Sequence, residues 1–235
     1  GSEQIKLFRD RRLINKKRHD DYIEWFDKHK VTEEQLDRQR KISKDFKYRP
    51  LISILLPTYN TNPTYLRSCI DSVLSQSYDN WELCISDDNS TSEQTKGVIK
   101  EYVEKYGNII VTFRKENGHI SKSSNTALSM AKGDYISLLD HDDILPPNAL
   151  FEVVDTINKN PKVDLIYTDE DKIDCEGNHI EPFFKPDWSP DFMNSCNMIT
   201  HFATMKTNII RGVNGFTVGT HGAQDWDLFL KITAK

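Results

Sequence analysis

The chain has 235 residues, enough for one α/β domain with an appendage but not for two full catalytic domains. Its 37% hydrophobic and 29% charged residues are typical of a globular protein, and no apolar run approaches the roughly 20 residues of a membrane-spanning helix. Residues 1–48 contain 14 Lys and Arg against 10 Asp and Glu, which leaves 17 against 26 for the rest. Nucleic-acid binding needs a basic surface, so this acidic body argues against it.

The cysteines indicate a reducing compartment. Cys69, Cys84, Cys175 and Cys196 show no CxxC spacing, and two of them lie in apolar segments where a small hydrophobic side chain suits. We therefore expect a cytoplasmic protein, and the inner face of the membrane is the other location that we consider. Residues 1–2 are interpreted as a tag scar.

The first part of the chain predicts helices without a hydrophobic core of their own, over residues 3–46. An aromatic patch with i, i+3, i+4 spacing begins at Tyr22, and Thr32 begins a capping box before a second short helix. We assign residues 1–48 to an N-terminal helical arm. Because its charges are mixed in sign, we interpret the arm as a packing element or a contact within a homo-oligomer.

From Arg49 onward, predicted strands alternate with predicted helices, which is typical of βαβ units and a mainly parallel sheet flanked by helices. Pro57 ends the first predicted strand, and Pro63 suits the first turn of the helix that follows. The predicted strands cover residues 52–56, 81–86, 109–113, 135–139 and 163–167. The apolar stripes of the predicted helices cover residues 66–74, 98–106, 125–131, 149–157 and 225–232.

Carboxylates follow three of the predicted strands directly, at residues 87–88, 140–143 and 169–171. Ligands bind outside the carboxyl ends of the strands in open α/β sheets, so we expect the ligand site there. Asp140 and Asp142 are two residues apart and can share a hard cation such as Mg²⁺ or Mn²⁺, which can bridge a diphosphate. An isolated pair of this kind is more often a solvated turn, so the hypothesis depends on the motifs around it.

Three ordered motifs supply that context: residues 54–60 (Ile-Leu-Leu-Pro-Thr-Tyr-Asn), 86–90 (Ser-Asp-Asp-Asn-Ser) and 138–143 (Leu-Leu-Asp-His-Asp-Asp). Together they resemble family 2 glycosyltransferases of the GT-A fold over residues 49–235. The resemblance implies a Rossmann-like mixed sheet and inverting transfer of a sugar from a nucleoside diphosphate sugar to a hydroxyl group. Because the chain ends at Lys235 within a helical pattern, we expect a domain of a longer protein.

The resemblance places the nucleotide against the loop after the first strand, the acid after the second strand and a third segment downstream. Asp88 can accept the N3–H of uracil or thymine, and Tyr59 offers a ring face to the base, which favours a UDP or dTDP donor. Strand termination and turn capping are the alternative roles. The residues expected around the nucleotide are Pro57, Thr58, Tyr59, Asn60, Asp87, Asp88, Asn117, Gly118, Ser121, Asn125, Asp140 and His141.

Two further segments, residues 167–172 and 185–191, resemble a bacterial subgroup that builds surface polysaccharides or protein-linked glycans. Residues 224–227 (Gln-Asp-Trp-Asp) resemble its general-base motif, although many family members have Glu where Gln224 stands. We expect Asp225 to take the proton of the acceptor hydroxyl. The alternative is a carboxylate that stabilises the start of a helix.

The remaining site predictions concern the metal and the acceptor. His201 is considered as a third metal ligand beside Asp140 and Asp142, although lone histidines are more often structural. Trp188 either stacks on a sugar face or anchors a surface loop. The expected acceptor-side residues are Asp169, Trp188, Gln224 and Trp226.

Two other functions stay open at this point. A nucleotidyltransferase also binds nucleotides on an α/β sheet, but its usual glycine-rich loop is missing where Pro57 to Asn60 stand. A non-catalytic nucleotide-sugar-binding assembly module is the second alternative. The expected cofactor is Mn²⁺ or Mg²⁺, and the expected partners are a nucleoside diphosphate sugar and a glycan or glycosylated acceptor, with no nucleic acid.

Overall fold

The computed structural model of the protein describes residues 19–174 and 176–234, so part of the predicted arm, Cys175 and Lys235 lie outside the described residues. The strands are β1 (Ile52–Thr58), β2 (Trp81–Asp87), β3 (Ile109–Phe113), β4 (Tyr135–Leu138), β5 (Leu165–Tyr167), β6 (Glu170–Ile173), β7 (His179–Phe183) and β8 (Ala203–Lys206). The helices are α1 (helical over 19–29), α2 (Glu33–Ile42), α3 (Pro63–Leu74), α4 (Glu93–Lys105), α5 (His119–Met130), α6 (Ala149–Lys159), α7 (Pro190–Ser195), α8 (Thr207–Gly212) and α9 (Gln224–Thr233).

The main sheet has six strands in the order β3-β2-β1-β4-β8-β5, and β6 and β7 form a separate antiparallel hairpin. β1 pairs in parallel with β2 and β4, and β2 pairs in parallel with β3. β8 is antiparallel to both β4 and β5, so β5 runs in the same direction as β4. The predicted α/β fold with a mixed, mainly parallel sheet is therefore confirmed.

Two hydrophobic layers enclose the sheet because successive side chains of a strand point to opposite faces. Ile54 and Leu56 of β1 face a core that also contains apolar residues of α3, α4 and α6. Leu55 faces the other core, which contains apolar residues of α5, α8 and α9. All seven residues of β1 are buried, as expected for a central strand covered by helices on both sides.

The structure corrects several predicted boundaries. β1 does not end at Pro57 but continues to Thr58. The pairing with β4 ends at Leu55, so the N–H that Pro57 lacks is not needed on that side. α5 begins at His119, six residues before the predicted start, and the antiparallel strand β8 was not predicted at all.

The described part of the arm packs on the domain. The predicted capping box is confirmed, since the Thr32 side chain accepts a hydrogen bond from the Gln35 N–H. The Tyr22 hydroxyl donates to Asp171 of β6 at 2.6 Å, and Leu36 is buried. Self-association through the arm stays a prediction. No helix within the described residues is both long and apolar enough to cross a membrane.

Gly133, between α5 and β4, lies against the start of β1. Its N–H donates to Ser53 Oγ at 2.8 Å, and that hydroxyl donates to Glu82 at 2.6 Å. A Cβ atom at Gly133 would lie 2.5 Å from the Leu51 carbonyl oxygen and 2.8 Å from the Ser53 nitrogen. Because these are backbone atoms, the loop that contains Gly133 would have to move away from the start of β1.

Gly133→Ala should therefore destabilise the fold by about 1–3 kcal/mol, the usual cost of overpacking. Gly107→Ala is the matched control, because a Cβ atom there meets nothing within 4 Å. Thermal unfolding should show a Tm lower by several degrees for Gly133→Ala and nearly unchanged for Gly107→Ala. Equal Tm values for the two variants would contradict the close approach.

Candidate functional site

The candidate site lies where the carboxyl ends of β1, β2 and β4 meet. Parallel pairing sets Thr58 opposite Asp87, and the Asp88 N–H donates to the Thr58 carbonyl oxygen at 2.8 Å. Pro57 and Thr58 are both buried at the end of β1. Asp140 follows β4 at the same edge. The fold therefore brings two of the predicted strand-end acids, Asp88 and Asp140, to one edge of the sheet.

Asp88 and the residues that contact it at this edge form the candidate nucleotide site, which is called the Asp88 pocket below. Its carboxylate is buried and accepts hydrogen bonds from the Gly118 N–H at 2.9 and 3.0 Å. Arg114 Nε lies 2.7 Å from one carboxylate oxygen. A carboxylate has roughly four acceptor positions, so a further donor can still be bound. Arg114 was missed in the sequence, although its place directly after a predicted strand was a usable signal.

Other residues expected at the nucleotide hold the surrounding loops in place. The Asp87 carboxylate accepts from the N–H and hydroxyl of Ser90 at 3.0 and 2.6 Å. Asn60 accepts from two backbone N–H groups at the start of α4. Asn125 both donates to and accepts from the backbone of Phe216. The contacts of Asp87 and Asn60 match the turn-capping alternative, whereas Asn125 joins α5 to the segment that contains Phe216.

Three further predicted residues lie around Asp88. The Tyr59 side chain is 47% exposed, so its ring is accessible to a ligand. The Asn117 amide donates to the Asp88 carbonyl oxygen at 3.2 Å. The Ser121 hydroxyl is buried and has no hydrogen-bond partner among the residues that the structure describes. The pocket thus combines an accessible ring with a buried, fixed carboxylate.

Asp140, Asp143 and His201 form a cluster whose ligand atoms lie within 4.8 Å of one another. His201 Nε2 is 3.8 Å from Asp140 Oδ2, and His201 Nδ1 is 3.7 Å from Asp143 Oδ2. The Asp143 N–H donates to the Asp140 carbonyl oxygen at 3.2 Å, and this turn brings the two carboxylates together. Carboxylate oxygens and an imidazole nitrogen fit a divalent cation.

The cluster differs from the predicted ligand set at one position. Asp142, which was expected as a ligand, has a side chain that is 60% exposed, and its carboxylate lies 3.6 Å from His141 Nδ1. That nitrogen is otherwise buried without a hydrogen-bond partner among the described residues. Asp143, which was not singled out, occupies the third place. Asp142 could join the cluster only if its side chain rotated.

Crowding of acids perturbs the electrostatics of the cluster. The Asp140 side chain is 45% exposed. Nearby protein atoms nevertheless displace part of the water around its carboxyl, and this desolvation raises the pKa of that group. Nearby imidazoles oppose the shift, while Asp142 and Asp225 add to it. Burial likewise raises the pKa of Asp143, and neighbouring carboxylates add to the shift. A bound cation would relieve this repulsion.

Asp225, the candidate general base, lies in the first turn of α9. The Asn197 amide donates to its carboxylate at 2.8 Å. Because the charge of Asp225 contributes to the raised pKa of Asp140, the two carboxylates share one electrostatic environment. The helix-start role and the catalytic role are both compatible with this position.

The predicted acceptor-side residues fall into two groups. Trp188 is 43% exposed, and the Asp169 carboxylate accepts from the Lys185 N–H at 2.7 Å. In contrast, the Trp226 indole donates to the Met193 carbonyl oxygen at 2.8 Å and packs against the core. Gln224 accepts from a backbone N–H in the loop before α9. Trp188 and Asp169 are thus exposed, whereas Trp226 and Gln224 are partly buried and make contacts within the protein.

Replacing Asp143 with Asn should stabilise the metal-free protein at neutral pH. The pKa of Asp143 is higher in the folded protein than in the unfolded chain, where it is about 3.9. The stability that Asp143 contributes is therefore fully present below the unfolded-state pKa and is lost as the pH rises through the folded-state pKa. Asn avoids that loss. In EDTA, the Tm of Asp143→Asn should exceed that of the parent at about pH 7, with a difference that shrinks toward about pH 4.

Asp187→Asn serves as the control, because Asp187 is exposed. Its Tm should follow that of the parent at both pH values. A parent protein that is as stable as Asp143→Asn over the whole range would show that the acids do not destabilise each other.

A solved structure of TarS from S. aureus, residues 1–349 in complex with UDP, resembles this fold. The TM-score is 0.64 at 21% sequence identity, over 77% of this chain and 54% of the other. At this level of identity the likeness concerns the fold alone.

Two curated relatives are more similar in sequence. The O-antigen biosynthesis protein RfbC of Myxococcus xanthus is 36% identical over 185 residues, which cover 79% of this chain and 14% of RfbC. The chondroitin synthase of Escherichia coli is 32% identical over 185 residues, which cover 78% of this chain and 26% of the synthase. The chain thus spans about a quarter or less of these relatives.

The family model of glycosyl transferase family 2 matches residues 53–212, which include all of β1 except Ile52, the Asp88 pocket and the Asp140 cluster. This match covers more than half of the chain. The chain therefore belongs to glycosyl transferase family 2 and has the GT-A fold.

Proposed function

We propose that this domain transfers a sugar from a nucleoside diphosphate sugar to a hydroxyl group of a glycan or glycosylated acceptor, with inversion at the anomeric carbon. One observation carries the proposal: in a family 2 domain, Asp88 and Asp140 follow the two parallel strands that flank β1, at one edge of the sheet. The names of RfbC and chondroitin synthase support a role in bacterial polysaccharide biosynthesis.

The donor that we propose is a UDP or dTDP sugar. Asp88 is held by Arg114 and the Gly118 N–H, so it offers an acceptor to the N3–H of uracil or thymine, which cytosine lacks. Tyr59 supplies an exposed ring for stacking on the base. The complex of TarS with UDP supports a uridine nucleotide in this fold.

We propose that Asp140 and His201 hold the cation. The third protein ligand is Asp143 in its observed position, or Asp142 if its side chain rotates toward the cluster. Mn²⁺ or Mg²⁺ at this point would neutralise the negative charge of the departing diphosphate. The ligand atoms of Asp140, Asp143 and His201 lie within 4.8 Å of one another, and carboxylate and imidazole groups suit a divalent cation. The residues therefore fit the group.

Asp225 acts as the general base in this proposal. The acceptor oxygen forms a bond to the anomeric carbon, the bond from that carbon to the diphosphate breaks, and the hydroxyl proton goes to Asp225. The hydrogen bond from Asn197 fixes the carboxylate while leaving its other oxygen for the acceptor. We assign Trp188 and Asp169 to the acceptor side, since both residues are exposed.

The competing hypotheses have less support. Membership of family 2 does not favour a nucleotidyltransferase, and the loop after β1 lacks the glycine-rich sequence of that class. A non-catalytic assembly module would bind the donor without consuming it. Release of UDP from a UDP sugar in the presence of an acceptor distinguishes a transferase from such a module.

Binding of UDP should depend on Mn²⁺ through Asp140 and His201, which are ligands whether Asp143 or Asp142 is the third. Calorimetric titration should show that Asp140→Ala and His201→Ala lose the increase in UDP affinity that Mn²⁺ gives the parent, because two phosphates then meet unneutralised acids. Asp187→Ala should retain it, and CDP should compete poorly with UDP. A full Mn²⁺ effect in Asp140→Ala would refute this cation site.

Asp225→Asn should lose transfer but keep the donor. Asn preserves the shape and the contact with Asn197 but cannot take a proton, and loss of a positioned base typically costs about 10²–10⁴ in rate. A transfer assay at saturating donor should show that decrease, while the Kd for UDP with Mn²⁺ changes little. Undiminished transfer would assign the base to another group, and joint loss of binding and folding would favour the helix-start role.

A further inference from the structure

The loop between α7 and β8, residues 197–202, contacts two parts of the candidate site at once. At its start, the Asn197 amide donates to the carboxylate of Asp225 at 2.8 Å. Near its end, the His201 ring lies 3.8 Å from Asp140 Oδ2 and 3.7 Å from Asp143 Oδ2. The position of this loop therefore decides the position of both the candidate base and the candidate metal ligand.

An ion pair between Lys185 and Glu170 contacts the loop on the side of β6. Lys185 and Glu170 lie 3.0 Å apart, and the Lys185 side chain is 1% exposed. Lys185 Nζ also donates to the carbonyl oxygens of Ile199 and His201. Glu170 accepts from the His201 N–H at 3.0 Å. The two side chains thus bind both N–H and carbonyl groups of the loop.

The loop backbone depends on these contacts. Thr200 has a φ of +41°, a left-handed conformation that β-branched residues rarely adopt. Its hydroxyl donates to Glu170 at 2.6 Å, and its N–H donates to the Asn197 side-chain oxygen at 3.3 Å. Such a conformation persists only where the surroundings fix it, and here Glu170 and Asn197 do so.

The ion pair lies within the protein, since the side chains of Lys185 and Glu170 are 1% and 28% exposed. A buried charge that loses its partner is strongly destabilising, so removal of either side chain should displace the loop.

We propose that the Glu170–Lys185 ion pair is a positioning element that sets the candidate base and the metal cluster together through the 197–202 loop. Glu170, Lys185 and Asn197 are positioning residues, because each acts through another group. The inference rests on the proposed function for the role of Asp225. It does not involve the Asp88 pocket, which Arg114 and Gly118 hold from other elements.

The test compares Lys185→Met with Lys206→Met. Lys206 lies at the far end of β8, where its exposed ion pair with Asp164 measures 2.9 Å, so it controls for loss of a lysine near the same strand. Loss of outer contacts to metal ligands typically costs about 10–100-fold in metal affinity or activity. We expect decreases of that order in both Mn²⁺ affinity, measured by paramagnetic resonance, and kcat for Lys185→Met alone. Uridine affinity, which reports on the Asp88 pocket, should be unchanged.

Asn197→Ala separates the two arms of the loop. It removes the donor to Asp225 and one of the contacts that fix Thr200, but the contacts of Glu170 and Lys185 with the loop remain. We therefore expect kcat to fall by about tenfold or more while Mn²⁺ affinity stays within twofold of the parent. A merely structural role would instead lower both quantities together with the folded fraction seen by circular dichroism.

If Lys185→Met does not fold, Glu170→Gln takes its place, because it keeps the shape and removes only the charge. Unchanged Mn²⁺ affinity and kcat in the folded variant, or equal losses in Lys206→Met, would overturn the inference. A parent protein that transfers no sugar would instead count against the proposed function, and the Mn²⁺ measurement would still decide whether the ion pair positions His201.

Discussion

The parallel pairing of β1 with β2 and β4 is the constraint on which the site depends. Because these strands run in the same direction, the chain leaves each of them at one edge, and Asp88 and Asp140 arrive there together. The packing of β1 fixes this arrangement, because Ile54 and Leu55 pack in different hydrophobic layers and a one-residue slip would exchange the layers of all its side chains. The site is thus a consequence of the sheet rather than of loop sequence alone.

Collecting acids at one edge is unfavourable unless each charge has a partner. Asp88 has Arg114, and Glu170 has Lys185. Asp140, in contrast, faces imidazoles and further carboxylates, and desolvation raises the pKa of its carboxyl. The unbalanced charge lies where the proposal places the cation, so the same arrangement that weakens the metal-free fold favours binding of a divalent cation.

The strand-end acids were predictable because the apolar runs before them are strong signals, whereas the third cluster member was not. The acids of residues 140–143 look equivalent in sequence, and only the turn that joins the Asp143 N–H to the Asp140 carbonyl oxygen brings Asp143 back. β8 is four residues long and antiparallel, so the sequence before it lacks the crossover helix that would indicate a further strand. The contacts of Glu170 and Lys185 with the 197–202 loop depend on that strand and had no local signal.

The most direct test of the account is an anomalous difference map from crystals of the protein with UDP and Mn²⁺. The account predicts a manganese peak between Asp140 and His201 that contacts both phosphates, with the uracil N3–H on Asp88. A peak elsewhere on the protein, or a diphosphate bound away from this edge of the sheet, would contradict it.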